Sequence, residues 1–191
     1  MGNGVSYIVP LHEGDYPEVE AKSEEILEWF LSRDMVAREP SACLLSLDEL
    51  GYRYKPPIAG IIDESARNFL SFTPHQAVFG MEINAGERCI FHEMEGAELQ
   101  RSCPNCGQVQ DMDTIDDFMM NWLEAINDYP LCDHCKQPAH ITAYKIDDGY
   151  WGYSNLGVAF WNLPQMFNTG FLDDMRRLLE VDDLRVIHAH L

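Results

Sequence analysis

Cys103-Pro104-Asn105-Cys106 and Cys132-Asp133-His134-Cys135, separated by 25 residues, decide how the middle of this chain folds. Each Cys-x-x-Cys pair closes a tight knuckle presenting two thiolates, and two knuckles complete a tetrahedron around one zinc ion. Gly107 follows the first pair, where a residue without a Cβ takes the positive φ of a close turn. Four thiolates fill the coordination sphere and leave no position for water or substrate. The expected metal is therefore one structural Zn²⁺ held by Cys103, Cys106, Cys132 and Cys135, with no catalytic role. A redox Cys-x-x-Cys pair instead wants one pair at a helix N-terminus, whereas here two pairs flank a helix at a distance. His134 and His140 lie close enough to replace a thiolate, although solvent-facing positions suit them better. Cys43 and Cys89 are isolated and read as small core residues.

Working outward, Ile115, Phe118, Met119, Trp122, Leu123 and Ile126 form one stripe of an α-helix between the knuckles. Asp113 or Thr114 can cap its start and Pro130 stops it. N-terminal to the knuckles, Val5–Val9 reads as a strand, and Val19, Ile26, Leu27, Phe30 and Leu31 fall on one face of a helix over 18–33. Residues 34–76 are punctuated by Gly51, Pro56, Pro57, Gly60 and Pro74, which predicts loops with one weak strand at 42–47. Residues 77–83 and 88–92 suggest a hairpin around Asn84-Ala85-Gly86-Glu87. Beyond the second knuckle, 141–146 and 156–161 read as strands, 170–179 as a helix and 184–190 as a closing strand. The fold class is α+β: a mixed or antiparallel sheet with packed helices, interrupted by a zinc-ribbon-like four-cysteine lobe. The expected division is 1–98 as an α+β part, 99–140 as the ribbon-like insertion, and 141–191 as a strand–helix–strand part completing the first domain.

Charge narrows the function. The formal net charge is −19, from 32 acidic and 13 basic residues. A Zn²⁺ bound by four thiolates would lower it to about −21. From Gly107 to Asp133 there is no Lys or Arg, while Asp111, Asp113, Asp116, Asp117, Glu124, Asp128 and Asp133 are acidic. Such a ribbon cannot displace counterions from a phosphate backbone, so nucleic acid is not an expected partner. A basic protein is, because opposite charge accelerates encounter. No apolar run is long enough to span a bilayer and Met1–Gly14 lacks the basic and apolar regions of a signal peptide, so a cytoplasmic location with reduced thiols is expected. Met1-Gly2-Asn3-Gly4-Val5-Ser6 fits the loose myristoylation pattern, but Glu13, Asp15, Glu18 and Glu20 behind it would be repelled by anionic lipid.

Candidate reactive groups are sparse. His188 and His190 share a strand face, as two ligands of a second metal would, and His92 could supply a third ligand or a base. Tyr150 to Trp161 is the densest aromatic stretch, with no cation between Lys145 and Arg176 to make it a nucleic-acid platform. Its first reading is sheet core. A cleft beside it, with His92, His188 or His190 as acid–base groups, is the alternative enzyme or small-ligand reading. There is no Gly-Lys dipeptide and hence no P-loop, and no Gly-x-Ser-x-Gly or His-Glu-x-x-His. The leading expectation is thus a non-enzymatic, zinc-binding protein acting through protein–protein contact, with toxin neutralisation as one concrete version.

Gly51-Tyr52 with Pro56-Pro57, the strand Cys89-Ile90-Phe91-His92, the two knuckles, and Trp151-Gly152-Tyr153-Ser154-Asn155-Leu156-Gly157-Val158-Ala159-Phe160-Trp161-Asn162-Leu163-Pro164 occur in an order that resembles an uncharacterised bacterial family. Its members carry a Cys-Pro-x-Cys-Gly knuckle, a second Cys-x-x-Cys and a GFGNLGFxFWNWP stretch before a helix and final strand. The likeness covers roughly residues 50–191 and is most specific near the C-terminal end. This chain departs from it at Lys136, where a glycine follows the second knuckle, and at Leu163, where the family has tryptophan. The resemblance implies bacterial origin, cytoplasmic location and zinc binding. Members are sometimes labelled sugar-transporter ATPases, a label that the missing P-loop does not support here.

Overall fold

The computed structural model describes residues 2–46, 48–73, 76–93, 99–112, 117–147 and 149–191. Along the chain these form β1 (Gly4–Pro10), α1 (Val19–Ser32), β2 (Tyr52–Arg53), β3 (Gly80–Phe91), β4 (Leu99–Ser102), β5 (Val109–Met112), α2 (Asp117–Leu123), β6 (Lys145–Ile146), β7 (Gly152–Trp161), α3 (Thr169–Leu178) and β8 (Leu184–His190). Five strands make an antiparallel sheet in the order β2-β3-β7-β1-β8, and three make a small sheet in the order β5-β4-β6. The α+β class follows directly.

The period-2 alternation of β1 and β7 sorts their side chains onto two faces. Ile8, Val158 and Phe160, joined by Met81 of β3, face a layer built from α1 and α3. Ile26 and Phe30 of α1 and Phe171 and Met175 of α3 complete that core. Phe160 meets Phe30 and Phe171 with ring centroids 5.8 and 5.9 Å apart, contacts worth about 0.5–1.5 kcal/mol each beyond their area. The opposite face carries Val5, Ala159, Trp161 and Ala189, closed over by Cys43 and Leu44. Asn168 caps α3 by accepting from the Phe171 N–H at 2.9 Å, and Arg176 and Arg177 sit at its negative end.

Several expectations change. The proposed hairpin over 77–92 is one continuous strand, because β7 offers partners to both halves: Met81–Ala85 pair with Phe160–Leu156, and Cys89–Phe91 with Ser154–Gly152. The turn-like residues between them become a register shift, with Gly86 at φ 112°. No strand forms over the described part of 42–47, where consecutive Cys43 and Leu44 both turn inward against the sheet; Leu47 lies outside the described residues. Residues 141–146 form a 3₁₀ turn, Ile141–Ala143, and only a two-residue strand. The inter-knuckle helix stops at Leu123: Ala125 adopts φ 55° and Ile126 is 65 % exposed, off the stripe. Its expected caps, Asp113 and Thr114, lie outside the described residues, as does Ile115. Cys43 is a buried core residue, as expected, and Cys89 is half-buried.

Candidate metal centre

The two knuckles are built by the same local bonds. The first turns β4 into β5: the Cys103 N–H donates to the Gln108 carbonyl at 3.0 Å, and the Gly107 N–H to the Cys103 carbonyl at 2.9 Å. In the second, the Cys132 N–H donates to Gln137 at 3.1 Å and the Lys136 N–H to Cys132 at 2.9 Å, closed by the Leu131–Pro138 bridge. Gly107 takes φ 70° and Lys136 φ 58°, so the fold demands a left-handed residue at the same step of each turn. Asn105 donates its N–H to the Cys103 sulfur at 3.4 Å, the kind of bond that favours a thiolate.

Facing each other, the knuckles bring four sulfurs within 4.8 Å of one another. Cys103 and Cys135 stand 3.9 Å apart, Cys106 and Cys132 3.8 Å. Zinc–sulfur bonds of about 2.3 Å at tetrahedral angles place sulfurs about 3.8 Å apart. Disulfides need about 2.0 Å. The donor set therefore fits one tetrahedral metal ion and no disulfide.

Four sulfurs this close cannot all ionise unaided. The N–H groups of Cys135 and His134 pull Cys132 down to about 6 against its burial. The Gln108 N–H also favours a Cys106 thiolate, but desolvation and the other three sulfurs outweigh it and push that thiol up to about 11. A divalent cation removes this conflict by bonding each sulfur and offsetting half of the four negative charges. Cys103 and Cys132 are buried, Cys135 is half-buried and Cys106 is exposed. Neither His134 nor His140 belongs to the cluster. His134 is exposed, and the His140 ring contacts the Thr142 hydroxyl through Nδ1 at 2.7 Å.

A small core backs the site. Phe118, Met119 and Trp122 of α2 pack with Ile141, Tyr144 and Ile146, with Trp151 just before β7 and with Tyr153 within it. The Tyr144 hydroxyl donates to the Pro130 carbonyl at 3.2 Å. Burial, and secondarily the charge of Cys103 and Cys132, raises its pKa to about 12. Arg88, which no sequence pattern singles out, clasps this lobe to the main sheet. From β3 its guanidinium donates to Asp128 at 2.6 Å, to the Trp122 carbonyl at 2.7 Å and to Asp15 at 2.6 Å, and stacks over the Trp122 ring at 4.9 Å. A second missed cation, Lys22, sits on the apolar stripe of α1. Its ammonium donates to Glu25, Glu180 and the Leu178 carbonyl. The signal for Lys22 was present, since it lies three residues from Val19 and four from Ile26.

Two of the three remaining histidine candidates are held by structural neighbours. His92 stacks on Trp151 with centroids 4.5 Å apart and bonds the Glu93 carbonyl through Nδ1. His188 pairs with the buried Ser6 hydroxyl at 2.8 Å, and burial lowers its pKa. His190 is exposed. None of the three joins a metal-capable group among the described residues. All ten residues of β7 are buried, so the aromatic stretch is sheet core from Gly152 onward. Tyr150 and Trp151, just before it, line a polar cavity of about 290 Å³ with Glu93 and Asp147. No helix among the described residues is long and apolar enough to cross a membrane. No family model matches the chain, and no curated protein or solved structure matches it significantly.

Proposed function

We propose that this chain is a non-enzymatic, cytoplasmic interaction protein whose ribbon, folded around one structural Zn²⁺, docks a basic protein partner. The observation that carries the reading is the surface of the lobe. Val109, Met120, Ile126, Tyr129 and Leu131 are exposed apolar side chains on a segment with no Lys or Arg from Gly107 to Asp133. Exposed apolar groups among carboxylates suit a partner that brings cations and an apolar anchor. The metal supports this role by holding that surface in shape, since four sulfurs leave it no open position for chemistry. A toxin with a basic active surface is one concrete partner, because an acidic binder both finds it quickly and covers its cations.

Two measurements test the reading. Metal analysis of protein grown without added metals should return one zinc per chain, lost in Cys103→Ser. Zinc-loaded protein immobilised in its native cell extract should retain a basic protein that elutes as salt rises, and Leu131→Glu with Ile126→Glu should abolish retention. A column that holds no protein at any ionic strength overturns the interaction role.

A further inference from the structure

Among the described residues, the outer edge of β8 carries hydrogen-bonding groups without a partner. Asn3 and Leu191 exchange both main-chain bonds, at 3.0 and 2.8 Å. Alternation along an antiparallel ladder then makes Val5–Ala189, Tyr7–Ile187 and Val9–Arg185 the bonded pairs. Pro10 stands opposite Leu184, where no N–H is required. The N–H and C=O groups of Val186, His188 and His190 therefore point away from β1. Among the described residues, none donates to or accepts from them. At the strand's start the Leu184 N–H is taken by the Asp183 carboxylate at 2.9 Å. The open row begins just after it.

Sheet edges that stay single are blunted by shortness, proline, lysine or a bulge. The opposite edge of this sheet is: β2 has two residues and β3 carries a register shift. β8 has no proline, bulge or shortness, running seven residues against β1 in unbroken register, and its one permanent charge, Arg185, is folded onto the Tyr150 ring and not left along the edge. We propose that β8 pairs antiparallel with β8 of a second copy of this chain, about a two-fold axis at His188, so that two five-stranded sheets become one.

The outward groups are self-complementary. With His188 on the axis, Val186 of one copy faces His190 of the other, and each pair exchanges two bonds, about six in all. Charge selects the same strand. Two chains at −19 repel over most of their surface, yet Leu184–His190 contains no carboxylate. Its one permanent charge, Arg185, is held over the Tyr150 ring at 4.0 Å. This edge allows like-charged copies to meet without opposing their acids. The proposal is independent of the ribbon's partner and behaves oppositely in salt. Screening strengthens an acidic homodimer but weakens attachment to a basic protein.

Sedimentation of the zinc-loaded chain at about 0.05 M and about 0.5 M salt tests the pairing, alongside Val186→Pro. Proline there removes an outward N–H and leaves the β1 ladder intact, as edge strands tolerate. The wild type should form a dimer that grows with salt. The amides of Val186, His188 and His190 should gain concentration-dependent protection from exchange. Val186→Pro should be monomeric with unchanged circular dichroism; should it misfold, His190→Pro gives the same readout at the strand's other end. A wild type that stays monomeric at its highest concentration in high salt overturns the proposal. So does a dimer that the proline variants or the three amides do not register, including one in which those amides are protected only by another protein's strand.

Discussion

Lys136 holds a backbone conformation that its own Cβ resists. Its φ of 58° matches the 70° of Gly107 at the equivalent step of the first knuckle. A left-handed L-residue costs about 1–2 kcal/mol, and glycine's larger unfolded entropy takes back part of any relief. Lys136→Gly should therefore stabilise the zinc-loaded protein by about 0.5–1 kcal/mol in urea unfolding, while Lys136→Ala, which removes the charge but keeps the strain, should not. The reverse case is Gly157, where a built Cβ would stand 2.4 Å from the Phe91 ring. Gly157→Ala should cost about 1–3 kcal/mol, read as a lower Tm, because a ring in a packed face cannot retreat. Glu82 gives a pH test. Burial raises its pKa from 4.5 although the Trp161 indole donates to it at 3.1 Å. A raised folded-state pKa means its favourable contribution is complete below the unfolded value and is lost as pH rises through the folded one. Glu82→Gln, which keeps an acceptor for Trp161, should raise Tm at pH 7, and the gain should vanish below about pH 4.

At the scale of elements, Arg88 is the joint between the four-cysteine lobe and the sheet. Its side chain is 9 % exposed and Asp128, its principal partner, 22 %. Removing one member of a pair so shielded leaves a charge without compensation, which costs about 3–5 kcal/mol when burial is complete and less here. Arg88→Met should lose about 2–3 kcal/mol, and Asp128→Asn in the same chain should recover part of it; equal additive losses from the two changes would show that the pair is not coupled. Nothing in the sequence marks Arg88, because its partners lie at Asp15 and at 122–128, both far from it along the chain. The same long-range dependence explains which elements were legible. α1, α3, β1 and β8 declare themselves through local periodicity. β3 does not, since Asn84-Ala85-Gly86-Glu87 has the composition of a turn and only the length of β7 beside it keeps the strand extended. In α2 the apolar stripe carried the expectation past Leu123 to Ile126, whereas the left-handed step at Ala125, which no propensity announces, ended the helix sooner.

Across the whole molecule, the four-cysteine site was legible because metal geometry imposes a spacing on the chain, while the surfaces that would meet a partner leave no such trace. The structure also divides the apolar interior. One cluster holds Ile8, Ile26, Phe30, Val158, Phe160 and Phe171 and takes no residue from 99–146. A second, around Trp122 and Tyr144, draws its buried members from 103–146 plus Trp151 and Tyr153, with Ile90 of β3 packed against it. Metal binding supplies on the order of 10 kcal/mol or more to small zinc-bound folds, far beyond what a core of this second size contributes alone. Chelation should thus release the four-cysteine lobe and leave the sheet. The expected sequence on adding a strong chelator is loss of the near-ultraviolet signal from the packed Trp122 and Tyr153 rings, with centroids 5.2 Å apart, with a far-ultraviolet loss no larger than α2, β4 and β5 account for. Amides of Ile8, Val158 and Phe160 should remain protected from exchange, while those of β4, β5 and α2 become free. Heating the chelated protein should then show one transition, that of the five-stranded sheet, and heating the zinc-loaded protein a second at higher temperature or a single merged one. If chelation instead removed protection at Val158 and Phe160 together with α2, the two cores would form one cooperative unit. The clasp at Arg88 would then be strong enough to carry the metal's stabilisation into the sheet.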